Sequence, residues 1–169
     1  MTPSMGETGP GTATPRLERI LIAGERGAPM RAVAQAKAAR GQGLVGDRYH
    51  AGRGTFSKRA AVMPGARDVS LITRDAVALC SRRLGVPVEA AWLRRNLVVD
   101  GLEIAALRGR TLAIGEVRLE IVSSCPPCGY LSRLLGLDMR SGLHRAGGMR
   151  AAVRTPGLLV AGAPIAIEA

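Results

Sequence analysis

Thr111-Leu112-Ala113-Ile114-Gly115-Glu116-Val117-Arg118-Leu119-Glu120-Ile121-Val122 is the stretch on which the fold class turns. Two short apolar runs flank Gly115-Glu116, and Glu116 to Ile121 alternates polar with apolar residues in the period of a half-buried strand. That pattern predicts a β-hairpin. Directly after it comes Cys125-Pro126-Pro127-Cys128, two of only three cysteines in the chain. Leu131, Leu134 and Leu135 then have helical spacing, and Gly136 supplies a C-terminal stop. Proline is tolerated in the first turn of a helix and biases the residue before it toward extended geometry. Cys128 is therefore expected near a helix N-terminus, where unpaired N–H groups and the macrodipole favour a thiolate.

Outward from the hairpin, short strands recur. Arg16 to Ala23, Val69 to Ile72 and Asn96 to Val99 read as strands, and Gly157 to Ile167 as one or two closing strands broken at Gly162 and Pro164. Thr73 is a good N-cap for a helix through Leu84, with Asp75 in its first turn and Gly85 beyond its end. Val77, Cys80 and Leu84 share one face of that helix, which makes Cys80 a core residue. The alanines between Pro29 and Arg40 suggest a short helix, and the glycines from Gly41 to Gly54 a loop. Many short strands with few helices predict a mainly β fold, a barrel with a few short peripheral helices.

Size and composition set limits. The 169 residues fit one domain able to bury a core without disulfides or a structural metal. Hydrophobic residues make up 47% but aromatics only 2%, so the interior must be aliphatic. That scarcity weakens a single-stranded nucleic-acid reading, which needs aromatic stacking faces. The net charge is +11, and Lys37 and Lys58 are the only lysines. The guanidinium fork suits phosphate, and scattered arginines favour a small anionic ligand over a nucleic-acid-binding tail. An odd cysteine count fits a reducing, cytoplasmic setting. Residues 1–15 are polar, rich in Gly, Pro and Thr, and lack a signal-peptide apolar stretch; they read as a disordered tail ahead of one domain over 16–169. No apolar run approaches the ~20 residues of a membrane span.

The Cys-x-x-Cys pair has several meanings. A zinc site needs two more ligands, yet His50 and His144 are the only histidines and have no paired spacing. A dithiol redox motif belongs after the first strand of a thioredoxin-like βαβ unit, a pattern this chain lacks. A single functional thiol, Cys128, with Cys125 as neighbour or resolving thiol, could ligate a soft metal or carry a persulfide. Two buried cysteines in a strand–helix corner is the plain structural alternative. Arg94-Arg95-Asn96 places cationic and amide donors at a strand start, suited to a phosphate or an oxygen-rich heterocycle, or simply to solvent. In Gly43-Leu44-Val45-Gly46-Asp47-Arg48-Tyr49-His50, Asp47 can orient Arg48, but a Walker lysine and a Rossmann context are both missing. His144-Arg145-Ala146-Gly147-Gly148-Met149-Arg150 is either an anion pocket or a turn.

These segments, together with Gly27-Ala28-Pro29-Met30, Arg67-Asp68-Val69-Ser70-Leu71-Ile72 and Ile114-Gly115, closely resemble in this order the MOSC family, named after the C-terminal domain of molybdenum cofactor sulfurase. The likeness is to compact, stand-alone bacterial members and runs from about Arg16 to the end. It implies a MOSC-type β-barrel and a molybdenum cofactor (molybdopterin), with pyridoxal phosphate bound in related sulfurases. Matching the family's metal-ligating cysteine gives Cys128, and Arg95 and Asn96 match its arginine–asparagine pair. The implied site has Cys128 and Cys125 as catalytic residues and Cys128 as molybdenum ligand. Arg94, Arg95, Asn96, Arg48, His144, Arg145 and Arg150 are the cofactor-binding candidates. The activity implied is reduction of N-hydroxylated compounds by a molybdenum-dependent oxidoreductase. The alternative is sulfur transfer through a persulfide on Cys128, loaded by a donor such as a cysteine desulfurase. A basic protein binding nucleic acid or an acidic partner is the third reading. Many members begin the closing strand with Gly-Asp, where this chain has Gly162-Ala163.

Overall fold

In the computed structural model, which describes residues 14–54, 57 and 65–168, alternation along the strands sorts the apolar side chains into two cores. Strand β1 (Arg16–Ile22) sends Leu17, Ile20 and Ile22 into one core, and Leu21 into the other. After it come β2 (Arg31–Val33), β3 (Gln35–Ala39), β4 (Gly43–Leu44) and β5 (Val69–Thr73). Helix α1 (Arg74–Leu84) leads to β6 (Leu97–Asp100), β7 (Thr111–Ile114) and β8 (Val117–Ser124). Two short helices, α2 (Gly129–Leu135) and α3 (Met139–Gly142), precede β9 (Met149–Thr155), β10 (Gly157–Val160) and β11 (Ala166–Glu168).

The strands form an eight-stranded mixed sheet in the order β11-β7-β8-β9-β5-β6-β1-β2, and a three-stranded sheet in the order β10-β3-β4. Leu71, Leu97, Leu112, Leu119 and Ile121 fill the first core together with Leu44 and Leu159 of the small sheet. Ile72 and Val98 face the other way, onto Cys80, Leu131 and Met139 of the helices and Leu143 just beyond α3. Each such fully buried aliphatic side chain contributes roughly 1.5–3 kcal/mol. Among the described residues no helix is long and apolar enough to cross a membrane.

The mainly β expectation and its peripheral helices hold, as do the 111–122 hairpin and both caps of α1. Thr73 Oγ1 accepts from the Ala76 N–H at 3.1 Å, and Gly85 closes the helix at φ 68°. The large sheet, however, is not closed into a barrel: β11 and β2 remain its edges. Residues 162–165 meet β1 through isolated bonds, such as Leu17 N–H to the Ala163 carbonyl at 2.9 Å. Pro164 in this segment has no N–H to extend a ladder. The helix expected over 29–40 is instead β2 and β3. Ala36 and Ala38 are buried in alternation with exposed Gln35 and Lys37, and pairing with β10 outweighs alanine's helical preference. Strand β9, central in the sheet between β5 and β8, is absent from the sequence reading. The tail expected over 1–15 lies outside the described residues except for Thr14 and Pro15.

Candidate functional site

Strand β8 ends at Ser124, and its direction delivers Cys125 to a fixed point. The Cys125 N–H donates to the Gly148 carbonyl at 2.9 Å, and the Cys125 carbonyl accepts from Arg95 Nη2 at 3.1 Å. A Cβ on Gly147 would stand 2.3 Å from that carbonyl oxygen, so only glycine lets the two backbones approach this closely. Pro126 and Pro127 carry the chain to Cys128, the extended N-cap residue of α2. The Cys128 side chain makes no capping hydrogen bond. All three cysteines are free; Cys80 and Cys125 are buried, whereas Cys128 is partly exposed.

Cys125 and Cys128 line a pocket of about 160 Å³ with Arg48, Arg67, Arg94, Arg95, Asn96 and Arg150. No carboxylate lines it among the described residues. Arg48 is buried against Asp47, Nη1 to Oδ1 3.0 Å, and lies 5.0 Å from the Tyr49 ring centroid. Arg94 sits in the left-handed region at φ 60°, ending a 3-10 turn over 90–93. Its Nη1 donates to the Ala28 carbonyl at 2.6 Å, while its Nη2 is buried without a hydrogen-bond partner among the described residues. Burial first, and then the Arg48 guanidinium, pull Arg94 below the ordinary arginine value. Positive charge is thus concentrated here and only partly compensated. Buried polar groups normally find a partner, and an orphaned guanidinium nitrogen in a cationic pocket calls for an anion.

Arg95 and Asn96 line the same pocket but are engaged elsewhere. Arg95 donates to three backbone carbonyls, those of Leu93, Gly147 and Cys125. Asn96 Oδ1 accepts from the Ser70 N–H at 3.2 Å, and its Nδ2 donates to the Leu21 carbonyl at 3.2 Å. Asn96 therefore ties β5, β6 and β1 together at the pocket floor. Arg150, on β9, lines the pocket, and its side chain makes no hydrogen bond or ion pair among the described residues.

His144 and Arg145 fall outside this group. The His144 carbonyl accepts from Arg83, and Arg145 lines a separate pocket of about 260 Å³ with Asp75 and Glu103. Their neighbours Gly147 and Gly148 serve close backbone packing: a Cβ on Gly148 would lie 2.0 Å from the Leu71 carbonyl oxygen. Arg67, Tyr49, Ser70 and Tyr130 also line the cysteine pocket and are not among the site residues expected from sequence. Tyr49 follows Arg48 directly and Tyr130 follows Cys128 by two positions, so proximity to those motifs was the available signal.

Among the described residues no three His, Cys, Asp or Glu side chains cluster to hold a metal unaided. The arrangement offers one soft thiol beside several guanidinium groups, a donor set for an anion that also bears or accepts sulfur.

A family model described as the MOSC domain matches residues 43–166. Among solved structures, the YUAD protein from Bacillus subtilis superposes with a TM-score of 0.77 at 17% identity, over 92% of this chain and 96% of that one. YiiM from Geobacillus stearothermophilus gives 0.68 at 16%, over 92% and 75% of the two chains. YiiM from Escherichia coli gives 0.66 at 20%, over 91% and 70%. At these identities the likeness concerns the fold. No curated protein matches the sequence.

Proposed function

The chain belongs to the MOSC domain family, and from that membership we propose that its arginine-rich pocket binds an anionic molybdenum–pterin cofactor, with Cys128 as the protein's ligand to the metal. The observation carrying this reading is the buried Nη2 of Arg94, without a hydrogen-bond partner among the described residues, on a side chain that lines a pocket to which no described carboxylate contributes. The donor set fits the group. Arg48, Arg94 and Arg150 would hold its phosphate, and the Cys128 sulfur would meet its soft metal. The pocket volume of about 160 Å³ is smaller than the roughly 300–1,000 Å³ of pockets that enclose a whole drug-sized ligand. It takes an anionic group of the cofactor and leaves the remainder outside. Bound there, the cofactor supplies redox chemistry, and reduction of N-hydroxylated compounds is the activity expected. The chain's residues bind and orient: Arg95 and Asn96 fix the pocket floor, and the Arg48–Asp47 pair fixes one cation of the wall. Three free thiols suit a reducing, cytoplasmic setting.

The test is molybdenum and pterin content after expression in molybdate-supplied cells that make the cofactor. Wild-type protein should retain both, and Cys128→Ser should lose the metal. An empty wild type overturns the proposal.

One observation favours a second reading. Cys128 is the only partly exposed cysteine, and it lines a space large enough for a sulfur atom. As a sulfur carrier, the Cys128 thiolate attacks the terminal sulfur of a donor persulfide, such as that of a cysteine desulfurase. The donor's S–S bond breaks, the donor leaves as a thiolate, and Cys128 keeps the persulfide with no net oxidant consumed. Incubation with a loaded desulfurase should add one sulfur to Cys128 by mass; wild-type protein that stays unmodified rules this reading out.

A further inference from the structure

Arg95 matches a pair read as ligand-binding, but its hydrogen bonds give it a different task. It is only 8% exposed. Nε donates to the Gly147 carbonyl at 2.8 Å, Nη1 to that of Leu93 at 3.1 Å and Nη2 to that of Cys125 at 3.1 Å. No carboxylate pairs with it among the described residues. Three of its five N–H donors are thus committed to backbone spread over three segments, which holds the guanidinium plane in place. Gly147 closes the same contact from the other side, its Cα set against the Cys125 carbonyl. The Cys125 N–H is bound as well, to the Gly148 carbonyl.

We infer that Arg95 is a positioning residue: with Gly147 and Gly148 it clamps the Cys125 backbone at both its N–H and its carbonyl, keeping the Cys125 thiol buried in the pocket wall so that Cys128 is the solvent-accessible thiol of the pair. This rests on the reading of Cys128 as the working thiol. It makes the Cys-x-x-Cys motif a single-thiol site, with Cys125 as the anchored end of the loop. A lysine at position 95 keeps the charge but has no planar fork to span three carbonyls.

The three cysteines report on the clamp separately. Cys80 lies in the helix-side core and reacts only if the domain opens globally, Cys125 reports the clamp, and Cys128 the site. Iodoacetamide labelling of the intact protein, mapped by mass spectrometry, should find Cys128 modified and the other two protected. In Arg95→Lys and Arg95→Gln, labelling of Cys125 should accelerate about tenfold or more, as loss of a charge-assisted bond allows for a local opening. Cys80 should stay protected. Gly147→Ala, with Arg95 intact, should release Cys125 in the same way. If the Arg95 variants lose phosphate affinity while Cys125 stays protected, Arg95 is a ligand contact and the inference fails. It also fails if Cys80 labels along with Cys125, which marks a global stability role. Cofactor content does not enter this readout, so an empty wild type would sink the proposed function and leave the clamp standing.

Discussion

Asp47 and Arg48, neighbours in the chain, form the one ion pair among the described residues that is shut off from water on both sides. Nη1 and Oδ1 are 3.0 Å apart, and the side chains are 7% and 1% exposed for Arg48 and Asp47. The carboxylate also accepts from the N–H groups of Ala23 and Tyr49, which locks the loop that brings Arg48 to the pocket. Removing one member of a buried pair strands the other charge, a loss of about 3–5 kcal/mol. Asp47→Asn should therefore be destabilised by roughly that amount in chemical denaturation. It should recover part of the loss in millimolar phosphate, because the anion then compensates Arg48 and Arg94. A variant as stable as wild type without phosphate would refute the pair's role.

Arg94 separates binding from stability. Glycine at this position relieves a left-handed backbone that costs an L side chain about 1–2 kcal/mol. It also forfeits the bond to the Ala28 carbonyl, worth about 1 kcal/mol. These effects offset, so Arg94→Gly should unfold within about 1 kcal/mol of wild type. Its phosphate affinity, read by calorimetric titration, should drop about tenfold with the loss of a charged donor. Unchanged affinity would remove this pocket as the anion site.

The elements that could be read from sequence are those written locally. The 111–122 hairpin carries its own turn and alternation, and α1 carries both caps. Strand β3 was hidden because alanine gives only a shallow alternation, and its burial comes from β10, far along the chain. Strand β9 begins directly after Gly147-Gly148, glycines that mimic a loop but exist for close approach to Cys125 and Leu71. The site shows the same division. Cys128 at a helix start was legible from the prolines and the leucine spacing. The engagement of Arg95 was not, because its carbonyl partners Cys125 and Gly147 lie 30 and 52 residues away. His144 and Arg145 share a segment with Arg150, yet Arg145 lines the separate pocket with Asp75 and Glu103, a separation no local pattern announces.

Cys128 occupies an N-cap without capping it through its side chain. Serine is among the best N-cap residues, and cysteine is not. Cys128→Ser should therefore leave the fold intact and stabilise α2 by about 0.5–1 kcal/mol, seen as a raised melting temperature, even as thiol labelling at this position disappears. A site that gains stability when its reactive atom is removed is one where chemistry, not folding, accounts for the residue. A lowered melting temperature would instead make Cys128 a packing residue.

Asp68 gives stability a pH dependence of defined sign. Its Oδ2 accepts from the N–H groups of Val153 at 3.0 Å and Gly41 at 3.2 Å, tying the start of β5 to β9 and to the turn before β4. Burial is the larger influence and raises its carboxyl above the usual value of 3.8, against the lowering by those two bonds. A folded-state value above the unfolded one means that the native state holds the proton more tightly. The resulting stabilisation is fully present below the unfolded value and is lost as pH rises through the folded one. Denaturation free energies of wild type minus Asp68→Asn, measured upward from the ordinary aspartate range toward neutrality, should therefore fall. Asp138 runs the other way: its carboxylate accepts from the hydroxyl and the N–H of Ser141, its value is lowered, and its contribution is lost as pH falls. Taking the difference against Asp68→Asn removes that opposing trend, since both proteins keep Asp138. A difference that grows with pH would mean that the two N–H bonds outweigh burial and that Asp68 is held as the anion.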